Sequence, residues 1–169
     1  MCIRDSYLVR DKAHDEELSV QAKWSFRYPD GARDCESIAV DVLSRQVIVI
    51  EKVYANRANV YACGLPDLNT NTQQPLVLQR IGRVKVTAPV AMDITADGRR
   101  AIVLSYGHAM EYFRGPQETW KDAFGHAGRK IRMPERKQGE TICYDHLDNL
   151  YLTSERRPTP LYRVAVEKQ

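Results

Sequence analysis

An internal repeat constrains the fold of this chain more than any other feature. The segment ESIAVD at residues 36–41 returns as ETICYD at residues 140–145, and the similarity continues into the next strand of each copy. A third copy, VAMDIT at residues 90–95, lies between them, so that successive copies are 54 and 50 residues apart. Periods near fifty residues that hold several short strands are typical of sheets repeated around an axis. The repeat therefore predicts a radially repeated β architecture.

Short apolar runs separated by turn residues recur along the whole chain, and this density of short runs indicates an all-β protein. Residues 118–124 are the one helical candidate, because Trp120 and Phe124 are spaced by one helical turn. Residues 67–74, DLNTNTQQ, are predicted to form a surface loop. Strands are predicted at residues 7–9, 22–28, 37–42, 46–51, 59–63, 76–84, 90–94, 101–106, 109–113, 130–133, 141–144, 150–153 and 161–164.

Aligning the copies gives the strand order within each unit: an inner strand, a tight turn, and then a second and a third strand. A fourth strand, at residues 76–84 and 130–133, completes the first two units. Four antiparallel strands per unit form a propeller blade, and Asp97-Gly98 suits the tight turn of the middle copy. Residues 7–28 would supply the last two strands of an earlier blade. We therefore predict a partial β-propeller with about three four-stranded antiparallel blades in an open arc.

We predict a single domain, a propeller segment at residues 7–166. We expect its first blade to be truncated at the N-terminus and its last blade to be incomplete at the C-terminus. Residues 1–6, MCIRDS, resemble a leader found in front of unrelated metagenomic genes, so we leave them out of the fold prediction. An open arc would expose apolar inner positions such as Ile38, Met92 and Ile142. We therefore expect the isolated chain to associate through its open edges.

Composition argues against several classes of partner. The 25 basic and 22 acidic residues leave a net charge of +3 and form no run of five like charges, so no nucleic-acid partner is expected. No apolar run approaches the ~18 residues of a membrane span.

The four cysteines form no C-x-x-C pair, so Cys35, Cys63 and Cys143 are interpreted as small buried strand residues. Nucleophile-elbow, P-loop, H-E-x-x-H and dinucleotide-binding motifs are also missing from the sequence.

Several segments of the sequence, two of which overlap, carry a family resemblance. The hairpin ITADGRRAIVL at residues 94–104 resembles that of TolB-like propellers. The segments YPDGARDCESIAVD, VAMDITADGRR and QGETICYDHLDNLYLTSE look like bacterial propellers grouped with the esterase-like phytase domain. The resemblance runs from about residue 28 to residue 164, and departs from the family pattern at Ala96, usually proline, and Ser105, usually basic. It implies about six blades in the complete, monomeric protein and a periplasmic or extracellular location.

Antiparallel strand order predicts where the polar residues of each copy meet. The starts of inner strands and the ends of second strands share one face, here called the rim, whereas the Asp97-Gly98 turn belongs to the opposite face. Convergent charged groups around a shallow central pocket form a candidate binding site. The rim collects Arg33, Asp34, Glu36, Glu51, Lys52, Tyr106, His108, Glu140, Glu155 and Arg156.

Glu36 and Glu140 are the strongest candidates for functional residues, because each is the first residue of a predicted inner strand. With Asp93 and water they could hold Ca²⁺, which prefers oxygen ligands. Alternatively, one carboxylate whose pKa is raised by the other could act as a general base on bound water. A third interpretation is structural: each glutamate caps backbone N–H groups or pairs with Arg33 or Arg156.

Four other rim or strand residues have both a functional and a structural interpretation. Asp93 lies on the opposite side of its strand from the glutamate position, so its partner is a metal, a neighbouring blade or buried water. His108 could shuttle protons, although a lone loop histidine is usually solvated. Lys52 and Arg156 could bind an entering phosphate or carboxylate, or form surface ion pairs with their neighbouring glutamates.

Two functions fit these residues. The resemblance implies a hydrolase of the esterase-like phytase type, with calcium or basic residues holding an anionic substrate while Glu36 or Glu140 helps water attack an ester. The alternative is a ligand- or protein-binding propeller of the cell envelope that holds a sugar, a peptide or another small ligand at the same pocket. Fold alone gives only an analogy for either function.

Overall fold

The computed structural model describes residues 4–9, 20–67, 74–155, 157 and 159–165. Within these ranges the chain forms fourteen strands and one short helix. They are β1 (Arg4–Val9), β2 (Val20–Arg27), β3 (Cys35–Asp41), β4 (Gln46–Glu51), β5 (Ala58–Gly64), β6 (Leu76–Val77), β7 (Gln79–Val84), β8 (Ala91–Ile94), β9 (Arg100–Leu104), β10 (His108–Phe113), α1 (Trp120–Ala123), β11 (Arg129–Arg132), β12 (Gly139–Tyr144), β13 (Leu150–Ser154) and β14 (Tyr162–Val164).

The strands form successive small sheets, as the repeat predicts. Two sheets have four strands, in the orders β3-β4-β5-β7 and β8-β9-β10-β11, and their neighbouring strands are all antiparallel. A third sheet has the order β12-β13-β14, and a fourth, formed by the N-terminal part of the chain, has the order β1-β2-β6. The inner strands β3, β8 and β12 are neighbours in space. The prediction of an all-β chain forming part of a β-propeller is confirmed.

The predicted strand at residues 76–84 is wrong as a single element. The structure divides it into β6, which pairs in parallel with β2, and β7, which pairs with β5 as the outer strand of its sheet. Between them, the backbone N–H of Leu78 donates to the carbonyl of Arg27 at 2.9 Å and its side chain is buried. Since β6 and β7 belong to different sheets, the chain passes from the β1-β2-β6 sheet to the β3 sheet at Leu78.

The first strand begins earlier than predicted. It starts at Arg4, so part of the segment at residues 1–6 pairs with β2.

The core consists of apolar layers between successive sheets. One cluster joins the β1-β2-β6 sheet to the β3 sheet, a second joins the β3 and β8 sheets, and a third joins the β8 and β12 sheets. Middle strands β4 and β9 have buried side chains on both faces because a sheet packs on each side of them. This double burial explains why their sequences, QVIVIE and RAIVL, read as continuous rather than alternating apolar runs.

The expectation that three inner apolar positions stay exposed is correct for one and wrong for two. Ile38 is 42% exposed, whereas Met92 and Ile142, at the equivalent positions of the next copies, are 6% and 4% exposed. Met92 packs against the preceding β3 sheet, and Ile142 packs against the preceding β8 sheet. The expected burial of cysteines also fails at Cys143, which is exposed, whereas Cys35 is buried.

The predicted short helix is confirmed and links two blades. Thr119 caps α1, since its hydroxyl accepts from the N–H of Asp122 while the Asp122 carboxylate accepts from the N–H of Thr119 at 2.9 Å. This reciprocal arrangement satisfies otherwise free N–H groups at the helix start. Trp120 and Phe124 then pack into the layer between the β3 and β8 sheets.

A buried carboxylate completes this link. Asp41, at the end of β3, accepts hydrogen bonds from Trp120 Nε1 at 2.8 Å and Ser44 Oγ at 2.5 Å, and pairs with Arg114 Nη1 at 3.1 Å. Burial would raise the pKa of Asp41, but the hydrogen bonds from Ser44 and Trp120 and the charge of Arg114 outweigh it and lower the pKa. Gly98 is favoured here, because its φ is +63° and a Cβ would lie 2.6 Å from Arg114 Nη2.

We expect Asp41→Ala to lower the free energy of unfolding by about 3 kcal/mol or more, because it removes the carboxylate that pairs with Arg114 and leaves the buried Trp120 N–H without an acceptor. Urea unfolding of both proteins measures the loss. The stabilisation from Asp41 is present above about pH 4 and disappears as the pH falls through the lowered pKa.

The control is Asp67→Ala. Asp67 pairs with Arg45 at 2.5 Å, but both side chains are mostly exposed, so the expected loss is below about 1 kcal/mol. Equal losses in the two variants would show that the Asp41 contacts do not hold the blades together.

Candidate functional site

Equivalent positions of the three inner-strand copies converge on one cavity. Glu36, Val90 and Glu140 occupy the same place in the repeat, and all three line a cavity of about 470 Å³ together with Glu155. Gly98 lies beside Asp41, at the other end of β3 from Glu36. The three carboxylates and the Asp-Gly turn are therefore on opposite faces, as antiparallel strand order predicts.

The rest of this carboxylate cavity is mainly apolar. Its remaining lining residues come from β2 and the residue that follows it, from β3 and β4, and from the segment between β6 and β7. No lysine or arginine of the described residues is among those that line it. A cavity lined by carboxylates and by aromatic and aliphatic side chains can hold a ligand that combines a donor group with an apolar body. The remaining lining residues are Phe26, Tyr28, Cys35, Ile38, Val49 and Leu78.

Lys52 connects the first two blades at the rim. Its Nζ lies 2.6 Å from Glu36 Oε2 and donates to the Tyr106 hydroxyl at 3.0 Å, and only 10% of its side chain is exposed. Burial alone would lower the pKa of Lys52, but the hydrogen bonds to Glu36 and Tyr106 and the Glu36 charge raise it. Lys52 and Tyr106 are repeat-equivalent positions of adjacent blades. Glu36 is therefore paired, but with Lys52 rather than with Arg33.

Glu140 differs from Glu36 because no cation pairs with it among the described residues. Burial raises the pKa of its carboxyl, and the negative charges of Glu36 and Glu155 raise it further, while Lys52 opposes them. Like charges near one another disfavour ionisation of the more buried group. Glu140 is thus the rim carboxylate best suited to accept or release a proton.

Arg33 and Asp34 have structural contacts outside this cavity. Arg33 pairs with Asp30 and with buried Glu51, both at 2.6 Å, and lies over the ring of Tyr61. The Asp34 carbonyl accepts from the backbone N–H of Lys52 at 2.8 Å. Glu51 is therefore a buried carboxylate neutralised by Arg33. Its repeat equivalent, Glu155, instead lines the cavity.

Asp93 bonds to a neighbouring blade. Its Oδ2 accepts from the backbone N–H of Tyr144 at 2.7 Å, which joins β8 to β12. Burial raises the pKa of Asp93, although the bonds from the N–H groups of Tyr144 and Ile94 oppose the rise. Within the described residues, no three His, Cys, Asp or Glu side chains are grouped closely enough to hold a metal ion. The structure therefore does not bring Asp93 to Glu36 and Glu140 as a shared cation site.

His108 begins β10 on the same face but does not line the carboxylate cavity. Its Nδ1 lies 3.4 Å from Ser105 Oγ. Burial and the positive charge of Lys130 lower the pKa of His108, which favours the neutral ring. Arg156, the remaining predicted ligand-binding residue, lies outside the described residues, as do residues 68–73 of the predicted loop.

Sequence reasoning missed Arg136. This residue lines a second cavity next to Tyr106. It lies outside the aligned strands, so the repeat carried no signal for it.

The fold has known counterparts, but the sequence has none that identify a family. No family model matches the chain, and no curated protein matches it. A solved structure described as "Crystal structure of Nidogen/Laminin Complex" is similar with a TM-score of 0.56 and 13% sequence identity. The match covers 92% of this chain and 52% of the other, so this chain spans about half the length of that one. At this identity the similarity shows a β-propeller-like fold alone.

No helix among the described residues has the length and apolar character of a membrane span.

The electrostatic cause of the raised pKa of Glu140 can be tested by two substitutions that should change this pKa in opposite directions. We expect Glu36→Gln to lower the pKa of Glu140, because a like charge is removed, and Lys52→Met to raise it, because an opposing charge is removed. Carbon-detected NMR titration of the Glu140 carboxyl measures both shifts. Glu118→Gln, a substitution at a carboxylate paired with His126 and outside the cavity lining, is the control and should leave the titration unchanged. Shifts of the same sign in the two rim variants would contradict this account.

Proposed function

We propose that this chain is the pocket-bearing part of a β-propeller that binds a small ligand at the carboxylate cavity without breaking a bond in it. The observation that carries the proposal is the grouping of Glu36, Glu140 and Glu155 around a cavity with apolar walls. Such a site favours a ligand with a positive charge or several hydroxyl donors, because ionised carboxylates only accept hydrogen bonds.

The walls narrow the ligand class further. Phe26 and Tyr28 present aromatic surface to the same cavity. Aromatic faces attract alkylammonium groups and pack against apolar faces of other ligands. We therefore propose a small amine or a sugar-like ligand. An anionic ligand is disfavoured at this cavity, because three carboxylates would repel it and Lys52 already pairs with Glu36. The resemblance to envelope propellers supports a periplasmic or extracellular protein.

The binding proposal is tested with putrescine as the amine probe and glucose as the sugar probe, by calorimetry at low ionic strength. We expect saturable binding of at least one probe, and about tenfold weaker binding of putrescine by a Glu36→Gln, Glu140→Gln double variant, because it loses charge-assisted hydrogen bonds. Glu118→Gln is the matched control and should bind as the unmodified chain does. Failure of both probes to bind in the millimolar range would refute the proposed ligand class.

A second candidate is hydrolysis of an ester or phosphoester, as in the propellers of the esterase-like phytase type that the sequence resembles. The raised pKa of Glu140 beside Glu36 favours it, since a base whose pKa lies closer to neutral removes a proton from water more effectively. In this scheme the ionised Glu140 carboxylate accepts a proton from a water molecule as the water oxygen attacks the carbonyl carbon of the ester. The C–O bond to the leaving alcohol then breaks, and the alcohol oxygen takes up that proton from Glu140, which returns the carboxylate to its ionised form. Calcium remains a proposal for Glu36 and Glu140. Because the described residues supply no third grouped ligand, no step is assigned to a metal.

The hydrolase candidate predicts turnover of p-nitrophenyl acetate, an uncharged ester that the three carboxylates do not repel. The rate should rise as the pH rises through the raised pKa of Glu140, because the ionised form is the base, and Glu140→Gln should lower it by about 100-fold. Release of p-nitrophenol is followed with millimolar Ca²⁺ and with EDTA. A melting temperature that rises with Ca²⁺ in the unmodified chain but not in Glu36→Gln would support cation binding. Turnover that Glu140→Gln leaves unchanged would exclude this residue as the base.

A further inference from the structure

A second cavity on the rim, of about 560 Å³, has the opposite chemical character. It contains two basic residues, Arg136 and Lys137, and one acidic residue, Glu135. We call it the arginine cavity. It is lined by Tyr106, Gly107, Met133, Pro134, Glu135, Arg136 and Lys137.

Arg136 is held there by neutral groups only. Its Nη2 donates to the Ser105 carbonyl at 3.0 Å and its Nη1 to the Pro134 carbonyl at 3.3 Å. Its Nε is buried and has no hydrogen-bond partner. Among the described residues, no carboxylate forms an ion pair with this guanidinium. Because a guanidinium carries five N–H donors, two carbonyl acceptors leave it with unused donors and an uncompensated charge.

The other partly buried arginines show how unusual this is. Arg114 and Arg129 each pair with a buried carboxylate, Asp41 and Glu111 respectively. Arg33 and Arg100 each pair with two acidic side chains. The fold therefore neutralises its partly buried guanidinium groups elsewhere. Burial lowers the pKa of Arg136, as expected where the charged form lacks a counter-ion.

The backbone is shaped to admit this side chain. A Cβ on Gly139, the first residue of β12, would overlap the Arg136 guanidinium, so a larger residue there would require the Arg136 side chain to move. The residue before it, Gln138, has a φ of +49°, which is unfavourable for a residue with a side chain. A turn with a positive φ and a closely packed glycine thus lie beside an arginine that has no ion-pair partner among the described residues.

We propose that the arginine cavity binds an oxyanion, a carboxylate or phosphate group of a small ligand, through Arg136 and Lys137. The planar guanidinium matches the two oxygens of such a group, and Lys137 adds a second positive charge. Glu135 contributes one opposing charge, which leaves the lining with a net positive charge. The site is independent of the ligand proposed for the carboxylate cavity.

The two cavities lie on one rim and are connected through side-chain contacts. Tyr106 lines the arginine cavity and accepts a hydrogen bond from Lys52, which pairs with Glu36 of the carboxylate cavity. The rim therefore offers an acidic and a basic subsite on neighbouring blades.

The experiment titrates the chain with acetate and with inorganic phosphate, each against chloride of equal ionic strength. Nitrogen–proton NMR spectra report the Arg136 side chain and the Gly107 amide. We expect saturable shifts at both positions with at least one oxyanion, and binding about tenfold weaker in Arg136→Gln, which loses charge-assisted hydrogen bonds. Arg132→Gln is the matched control, because Arg132 is exposed and is not among the lining residues.

Two further measurements keep the proposal open to refutation. Lys137→Gln should weaken binding about threefold without disturbing the turn, so the test does not depend on the stability of Arg136→Gln. Putrescine binding should be unchanged in Lys137→Gln, which separates this site from the carboxylate cavity. Shifts no larger than those caused by chloride, or equal oxyanion binding by Lys137→Gln, Arg136→Gln and the unmodified chain, would overturn the proposal.

Discussion

Burial of the middle strands between neighbouring sheets is the constraint on which the rest of this structure depends. A sheet of three or four strands with apolar residues on both faces must be covered on both sides. In β4 and β9 that cover comes from the sheets before and after. Stacking the sheets in this way places the inner strands β3, β8 and β12 side by side. Their starting residues then meet at one rim, and this is how residues far apart in sequence come to share a cavity.

Charge is distributed differently inside the blades and at the rim. The buried carboxylates Asp41, Glu51 and Glu111 each face an arginine and at least one further hydrogen-bond donor, so they link strands and blades. At the rim, Glu140 and Arg136 have no ion-pair partner among the residues that the structure describes, and each lines a cavity. Unpaired charge is costly to hold near a protein interior. Its concentration at two neighbouring cavities is the reason for placing function there.

The repeat and the apolar runs supported accurate prediction of the strands and of the face on which the polar residues meet. The predicted strand at residues 46–51 matches β4, and the placement of Glu36 and Glu140 opposite the Asp-Gly turn follows from strand order alone. Predictions failed where partners from another sheet decided the outcome. Met92 and Ile142 are covered by preceding sheets, and residues 76–84 divide because β6 pairs with β2. No local pattern encodes such contacts.

Sequence alone determined the architecture and the face that carries the polar residues, because repeat spacing and strand alternation are local properties of the chain. It did not determine which rim charges are neutralised. Glu51 and Glu155 occupy equivalent positions, yet Glu51 is buried against Arg33 while Glu155 lines a cavity. That difference depends on side chains that approach from other elements at distances of a few ångströms. Only the tertiary structure decided it, because the free energy of a charge depends on its burial and its nearest partners rather than on its place in the sequence.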